Sequence, residues 1–242
     1  MAASPMEQFN VYTVMDLPPV FGLDLSVTNA TVFMVLNLVL LVGVFALTTS
    51  RVRLIPDRRQ VIAETIYEMI AGMVRTNAGK KGMPYFPFVF SLFVFLLISN
   101  VTGMIPGWFT VTSHIAVTFA LAAFIFIGVT IIGFVQHGLG YLRMFMPHGA
   151  PWWTGFILIP VEIVSYLSRP ISLSVRLFAN MTVGHVLLKV IAGFAVVMGV
   201  LGIFPVAFLL ALTVLELFVA VLQAYIFAIL TCIYLHDALS LH

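Results

Sequence analysis

Long unbroken apolar runs set the pattern of this chain. Three of them, at 30–47, 86–105 and 115–135, match the roughly 20 residues a helix needs to cross a bilayer. Two longer runs follow, at 157–194 and 204–239. The first would extend about 57 Å as a helix, against a hydrocarbon core of about 30 Å. It must therefore tilt steeply, curve or run along the membrane. Pro170 in its interior should bend it. Between the two, Gly199, Gly202 and Pro205 punctuate 196–205 as a turn.

A different pattern fills 57–76. Ile62, Ile66, Met69, Ile70 and Met73 recur at helical spacing, while Asp57, Gln60, Glu64, Glu68 and Arg75 take the other face. This predicts an amphipathic helix at the membrane surface. A solvated linker helix is the plainer alternative. The sequence NAGKKGMP should break it. The expected fold is all-α and polytopic: five transmembrane helices and one amphipathic surface helix, with the last two long and tilted as an antiparallel hairpin. The chain divides into an arm (1–29), a first transmembrane helix (30–49), the interfacial helix (57–78), a transmembrane helix pair (85–137) and the hairpin region (138–242).

Composition sharpens this. The chain is 62% hydrophobic and 8% charged, where soluble domains hold about 25% charged residues. A net charge of +2 gives no electrostatic footprint for nucleic acid. One cysteine, Cys232, excludes an intrachain disulfide and a thiolate metal cluster. His137 and His148 stand eleven residues apart without a third ligand in view, so no metal or cofactor site is expected. The arm has no Lys or Arg but carries Glu7, Asp16 and Asp24, so it lacks the basic start of a signal peptide. Seven of the eleven Lys and Arg residues, Arg51, Arg53, Arg58, Arg59, Arg75, Lys80 and Lys81, lie between the first two spans. The positive-inside tendency then puts the arm outside, and five spans put the C-terminus in the cytoplasm.

Against this background the stretch SRPISLSVRLFANMTVGH, 168–185, is anomalous. It carries Arg169, Arg176, Asn180 and His185 within a membrane-length apolar region. A charge near the bilayer centre costs about 2.5–3.5 kcal/mol on insertion scales. Arginine cannot escape by losing its proton. In a hairpin turning near residue 200, residues at equal depth have numbers that sum to about 400. Arg176 then matches Gln223, His185 matches Glu216, Tyr166 matches Tyr234 and Glu162 matches Asp237. The rule gives depth and leaves contact open. Around the first long helix Glu162, Arg169 and Arg176 fall within about 40°, with Asn180 at the edge of that sector. His185 lies on the opposite face, about 13 Å further along. Two polar environments follow. His and Glu exchange protons near neutral pH once shifted, and a fixed guanidinium can keep two proton paths apart. Small residues Ser172, Ser174, Ala179 and Gly184 permit close approach of another helix. Taken singly, Gln223 also reads as interhelical glue, Lys189 and Glu162 as interfacial anchors, and His185 as a satisfied core histidine.

SRPISLSVRLFANMTVGH followed by LELFVAVLQAYIFAILTCIYL resembles the a subunit of F-type ATP synthase, its static proton-channel subunit. The resemblance is strongest over 157–239 and extends through the interfacial helix and the end of 86–106. It implies that Arg176 is the arginine facing the ion-carrying carboxylates of the rotating c-ring. Gln223 matches the glutamine beside it and Asn180 the asparagine one turn on. His185 and Glu216 match two half-channel positions, in the mitochondrial rather than the reversed bacterial order. Glu162 and Ser172 match inner half-channel positions. Where some members carry an acidic residue this chain has Gly103, so no carboxylate carries over there.

The resemblance implies a subunit without catalytic residues or cofactors of its own. Its partners would be the c-ring, b-type peripheral-stalk subunits and membrane lipid. A proton would pass Glu216 and His185, neutralise a ring carboxylate, and leave on the far side of Arg176 past Glu162. The expected location is a bacterial plasma membrane, with the mitochondrial inner membrane as alternative. Two other functions remain open: a proton-coupled secondary transporter, for which repeats and broken helices would be expected, and a structural anchor for peripheral subunits.

Overall fold

The computed structural model describes residues 10–16, 26–49, 56–105, 108–145 and 154–240. Glu7, Asp24, Arg51, Arg53 and His148 lie outside the described residues. The protein is an all-α, multi-pass membrane protein. Its helices are α1 (Asn29–Thr49), α2 (Arg58–Asn77), α3 (Gly79–Gly82), α4 (Phe86–Gly103), α5 (Ile115–His137), α6 (Gly155–Val197) and α7 (Ile203–Leu239). Five stretches are long and apolar enough to cross a membrane: α1, the run from α3 through α4, α5, α6 and α7.

The arm holds a short antiparallel pair, β1 (Thr13–Met15) with β2 (Val27–Thr28). Asn29 ties it to the membrane helices. Its Nδ2 donates to the Asn10 carbonyl at 3.0 Å, and its Oδ1 accepts from the Tyr12 amide at 3.3 Å and the Ala30 amide at 2.9 Å.

The surface helix has a partner. α2 begins where Asp57 caps it, the carboxylate accepting from the Arg58 amide at 3.0 Å. Its buried residues are Gln60, Ile70, Met73 and Val74, which pack toward α1, α4 and α7. Gln60, expected on the polar face, is therefore turned inward, where its Nε2 donates to Glu64 Oε1 at 2.7 Å. Ile62 and Met69, expected with Ile70, are exposed. A helix between protein and lipid has two apolar sides, and hydropathy alone does not say which one the protein takes. NAGKKGMP breaks the helix as expected, α2 ending at Asn77, and then turns the chain. Gly79 at φ 68° makes a corner that a side chain would strain, and helix resumes at once.

The core sits where α4 and α7 meet, with α2, α5 and α6 around them. Ala220, Ala224, Ala228 and Cys232 recur every fourth residue on α7, and all are fully buried. This small stripe lets backbones approach closely without a hydrophobic drive that lipid would cancel. Asn37 on α1 joins α4 by donating to Ser99 Oγ at 3.3 Å and accepting from Thr102 Oγ1 at 2.9 Å. Beyond this core the hairpin projects as an apolar surface suited to lipid or another membrane partner, with Val196, Val197, Phe204 and Leu210 exposed.

α6 runs unbroken through Pro160 and Pro170, and at 43 residues reaches about 65 Å. A turn through Gly199, at φ 56°, reverses the chain into α7. The connection at 138–145 is likewise structured: Tyr141 is buried against Gly133, where any side chain would collide with its ring.

Candidate functional site

The antiparallel hairpin brings the polar residues of α6 and α7 together in three steps along its length. At the end of the hairpin far from its turn, Arg169 Nη1 lies 3.1 Å from Asp237 Oδ2. Its guanidinium sits 5.5 Å from the Tyr166 ring centre and 5.1 Å from that of Tyr234. Both rings offer their negative faces to the cation. The Tyr166 hydroxyl is 2.6 Å from Thr130 Oγ1 and 3.1 Å from the Tyr141 hydroxyl. Burial, then the bond to Tyr166, pushes the Tyr141 phenol well above its ordinary range, so it stays protonated. This cluster is closed: every charge in it has an opposite charge or an aromatic face.

Midway, Asn180 Nδ2 donates to Gln223 Oε1 at 3.1 Å. Gln223 is buried and its Nε2 has no hydrogen-bond partner among the described residues. Arg176 lies one turn before Asn180. Its residue is exposed, and it forms no ion pair with the described residues. Gln223 thus sits at the depth expected for it but reaches Asn180 rather than Arg176.

Nearer the turn, His185 Nδ1 lies 3.7 Å from Glu216 Oε1. Both residues are buried, at 6% and 8% exposure. Gly184 makes the space: a Cβ there would come 2.5 Å from Glu216 Oε1. Neither Glu216 oxygen has a hydrogen bond from the described residues. A cleft of about 290 Å³ runs beside them, bounded by Ala179, Asn180, Val183, Gly184 and Glu216. It runs from the middle step to this one.

A family model described as "ATP synthase A chain" matches residues 31–236. The chain belongs to this family. Proteins called "ATP synthase subunit a" are similar over nearly their full length. That of Rhodospirillum rubrum is 56% identical over 240 residues, covering 99% of both chains. That of Paramagnetospirillum magneticum is 53% identical, covering 99% of this chain and all of the relative. That of Pelagibacter ubique is 52% identical with both chains fully covered.

Within this family member, the remaining expected site residues fall on the exposed side of α6. Ser172 is exposed and Glu162 half-buried, and neither has an ion pair among the described residues. The arginines seven residues apart are thereby distinguished. Arg169 is paired with Asp237, and Arg176 has no ion pair among the described residues.

Sequence reasoning missed the segment before α5. It folds inward, with Thr110, Val111, Thr112 and Ser113 all nearly fully buried. Thr182 Oγ1 on α6 donates to the Ser113 carbonyl at 3.2 Å, and Thr110 Oγ1 lies 3.3 Å from His185 Nε2. Asn100 on α4 is a further residue of the interior. It is fully buried and donates to the Ala220 carbonyl at 3.1 Å. The available signal was an uncharged run of Thr and Ser in a chain otherwise short of polar groups.

His114 ends that segment. Its ring stacks on Phe109 at 4.8 Å and its buried Nε2 has no hydrogen-bond partner among the described residues. Burial pushes its pKa below the ordinary 6.5. The unfolded chain therefore binds this proton more readily than the folded one. Stability from this group is complete above pH 6.5 and falls as the pH drops below it. Melting curves of the purified protein should show that acid-side loss, and His114→Gln should flatten it. An unchanged profile in the variant would contradict the assignment.

Proposed function

We propose that the chain is the stator subunit of the membrane sector of a rotary ATP synthase, in which Arg176 separates two proton half-channels. The observation that carries this reading is the contrast between two faces of one hairpin. Arg176, midway along α6, is exposed and has no ion pair among the described residues, while His185 and Glu216 are buried together.

A permanently charged guanidinium in an apolar region needs a counter-charge or water. Nothing on its own chain supplies the first among the described residues, so the reading assigns it a carboxylate on the rotating c-ring. That also accounts for the apolar surface of the hairpin as a face for a membrane partner. On the outer side, Glu216 and His185 form a titratable pair beside a cleft. Around them Glu216 Oε1 and Oε2, Asn100 Oδ1, Thr112 Oγ1 and Gln223 Nε2 are buried without hydrogen-bond partners among the described residues. Buried polar atoms are normally satisfied, so this group suits an aqueous path.

The mechanism follows from electrostatics. A proton taken up past Glu216 and His185 neutralises a ring carboxylate, which then enters lipid without the cost of a bare charge. After rotation the carboxylate releases its proton to the inner side, along the face carrying Ser172 and Glu162. Arg176 holds the ionised carboxylate in passing and repels protons between the two paths. Each charge crossing 100 mV supplies about 2.3 kcal/mol, so several are summed per ATP. Other partners in this reading are b-type stalk subunits and lipid, in a bacterial plasma membrane with the N-terminus outside.

The test is assembly-dependent function. A potential imposed across liposomes holding the complete synthase should drive ATP synthesis, and the purified chain alone should concentrate no solute. Solute uptake by the chain alone would favour a secondary transporter instead.

A further inference from the structure

We propose that Thr110 is a positioning residue for His185: its hydroxyl fixes the imidazole tautomer and so aims a proton-accepting nitrogen at Glu216. This rests on the proton-path reading above for its purpose, though not for its geometry.

A threonine hydroxyl has one proton to donate and lone pairs to accept with. Thr110 Oγ1 donates to the Gly103 carbonyl at 3.0 Å, which uses that proton. The same oxygen lies 3.3 Å from His185 Nε2. With its proton committed, Thr110 can only accept in this second contact. Nε2 must then carry the ring N–H. In a neutral imidazole the other nitrogen is the acceptor, so Nδ1 presents its lone pair. That is the nitrogen 3.7 Å from Glu216 Oε1.

The arrangement is fixed from both sides. Thr110 is fully buried, at 0% exposure, and cannot turn to water. Gly103 packs against it so closely that a Cβ would come 2.6 Å from Thr110 Cγ2. The absence of a side chain at 103 is what admits the threonine. The backbone of its segment is held in turn, by the Ser113 amide donating to the Thr110 carbonyl at 3.2 Å and the Ser113 hydroxyl doing so at 2.6 Å.

The chemical consequence concerns direction. Two acceptors, an Nδ1 lone pair and a carboxylate, repel unless they share a proton. A proton on Glu216 can pass to Nδ1, giving an imidazolium whose Nε2–H remains on Thr110. With the opposite tautomer, Nδ1 would donate to Glu216 and the ring could take no proton from that side. Thr110 thus holds the histidine ready to receive from the glutamate.

The experiment uses the complete complex in lipid with ring-labelled ¹⁵N-histidine. The His185 signal is assigned by its loss in His185→Gln. At a pH where the ring is neutral, it should report the Nε2–H tautomer in the unmodified protein and in Thr110→Ser, which keeps the hydroxyl. Thr110→Val, of nearly the same shape, should shift it toward Nδ1–H and lower proton conductance by about tenfold, with Thr110→Ser near normal. An Nδ1–H tautomer in the unmodified protein would overturn the proposal, and needs no variant to fold. So would a valine variant with unchanged tautomer, or a serine variant as impaired as valine. If conductance proves independent of Arg176, His185 and Glu216, the proton-path reading fails, while an Nε2–H signal that needs the hydroxyl still supports the positioning role.

Discussion

Replacing Arg176 with alanine is expected to abolish proton-driven ATP synthesis while leaving the chain folded and assembled. The two halves of that expectation come from the same observation. Arg176 is exposed and has no ion pair among the described residues, so removing it breaks no salt bridge between α6 and α7 there. Substitutions of this kind usually change stability by less than about 0.5 kcal/mol. Function is another matter. A guanidinium beside an ionised ring carboxylate, at about 4 Å and an effective dielectric near 20, is worth about 4 kcal/mol. That is close to a thousandfold in the occupancy of the ionised state. Without it a carboxylate facing the hairpin keeps its proton, or protons pass from one path to the other. Arg176→Lys should be poorly tolerated too, because a lysine can shed its proton in an apolar site. The measurement is ATP synthesis under an imposed potential, with subunit content and melting as controls. Synthesis retained at more than about a tenth of normal would refute the reading, since that leaves the charge worth under about 1.4 kcal/mol.

Much of this architecture was legible because two of its rules are rigid. A helix rises 1.5 Å per residue, so in a hairpin the numbering itself measures depth. Tyr166 and Tyr234, matched in number, are found on either side of the same guanidinium, and His185 is found beside Glu216. Periodicity on one helix also separated the sector of Arg176 from that of His185, and the structure exposes the first and buries the second.

What spacing does not contain is the rotation of the neighbouring helix. Gln223 has the depth of Arg176 but turns to Asn180. Asp237 has the depth of Glu162 but reaches Arg169. Two turns of helix present several polar groups within reach of a long side chain, and packing against α4 decides among them. The stripe Ala220, Ala224, Ala228 and Cys232 does that deciding by setting which side of α7 approaches the core. The segment before α5 was harder still. An uncharged loop reads as surface, and only its burial shows that Thr110 to Ser113 belong to the interior.

Exchanging the residues of the outer pair should restore much of what either single change destroys. Glu216→Gln keeps size and hydrogen-bonding capacity in the space beside Gly184 but cannot trade a proton. His185→Gln does the same to the other partner. Proton transfer by a positioned group is worth about 10²–10⁴ in rate, so each single variant should cut proton conductance by about a hundredfold or more. Two groups 3.7 Å apart that act as one unit should not have additive losses. The double glutamine variant should therefore be little worse than either single one. The reciprocal exchange, His185→Glu with Glu216→His, returns one carboxyl and one imidazole to the same buried space. It should recover conductance to within about tenfold of normal, short of full because Thr110 then faces a carboxyl instead of an N–H. His185→Glu by itself leaves two carboxyls in contact, which raises the affinity of the pair for its first proton and should slow release. If the single losses multiply in the double variant, the two side chains lie on separate routes, and the outer path does not run through their contact.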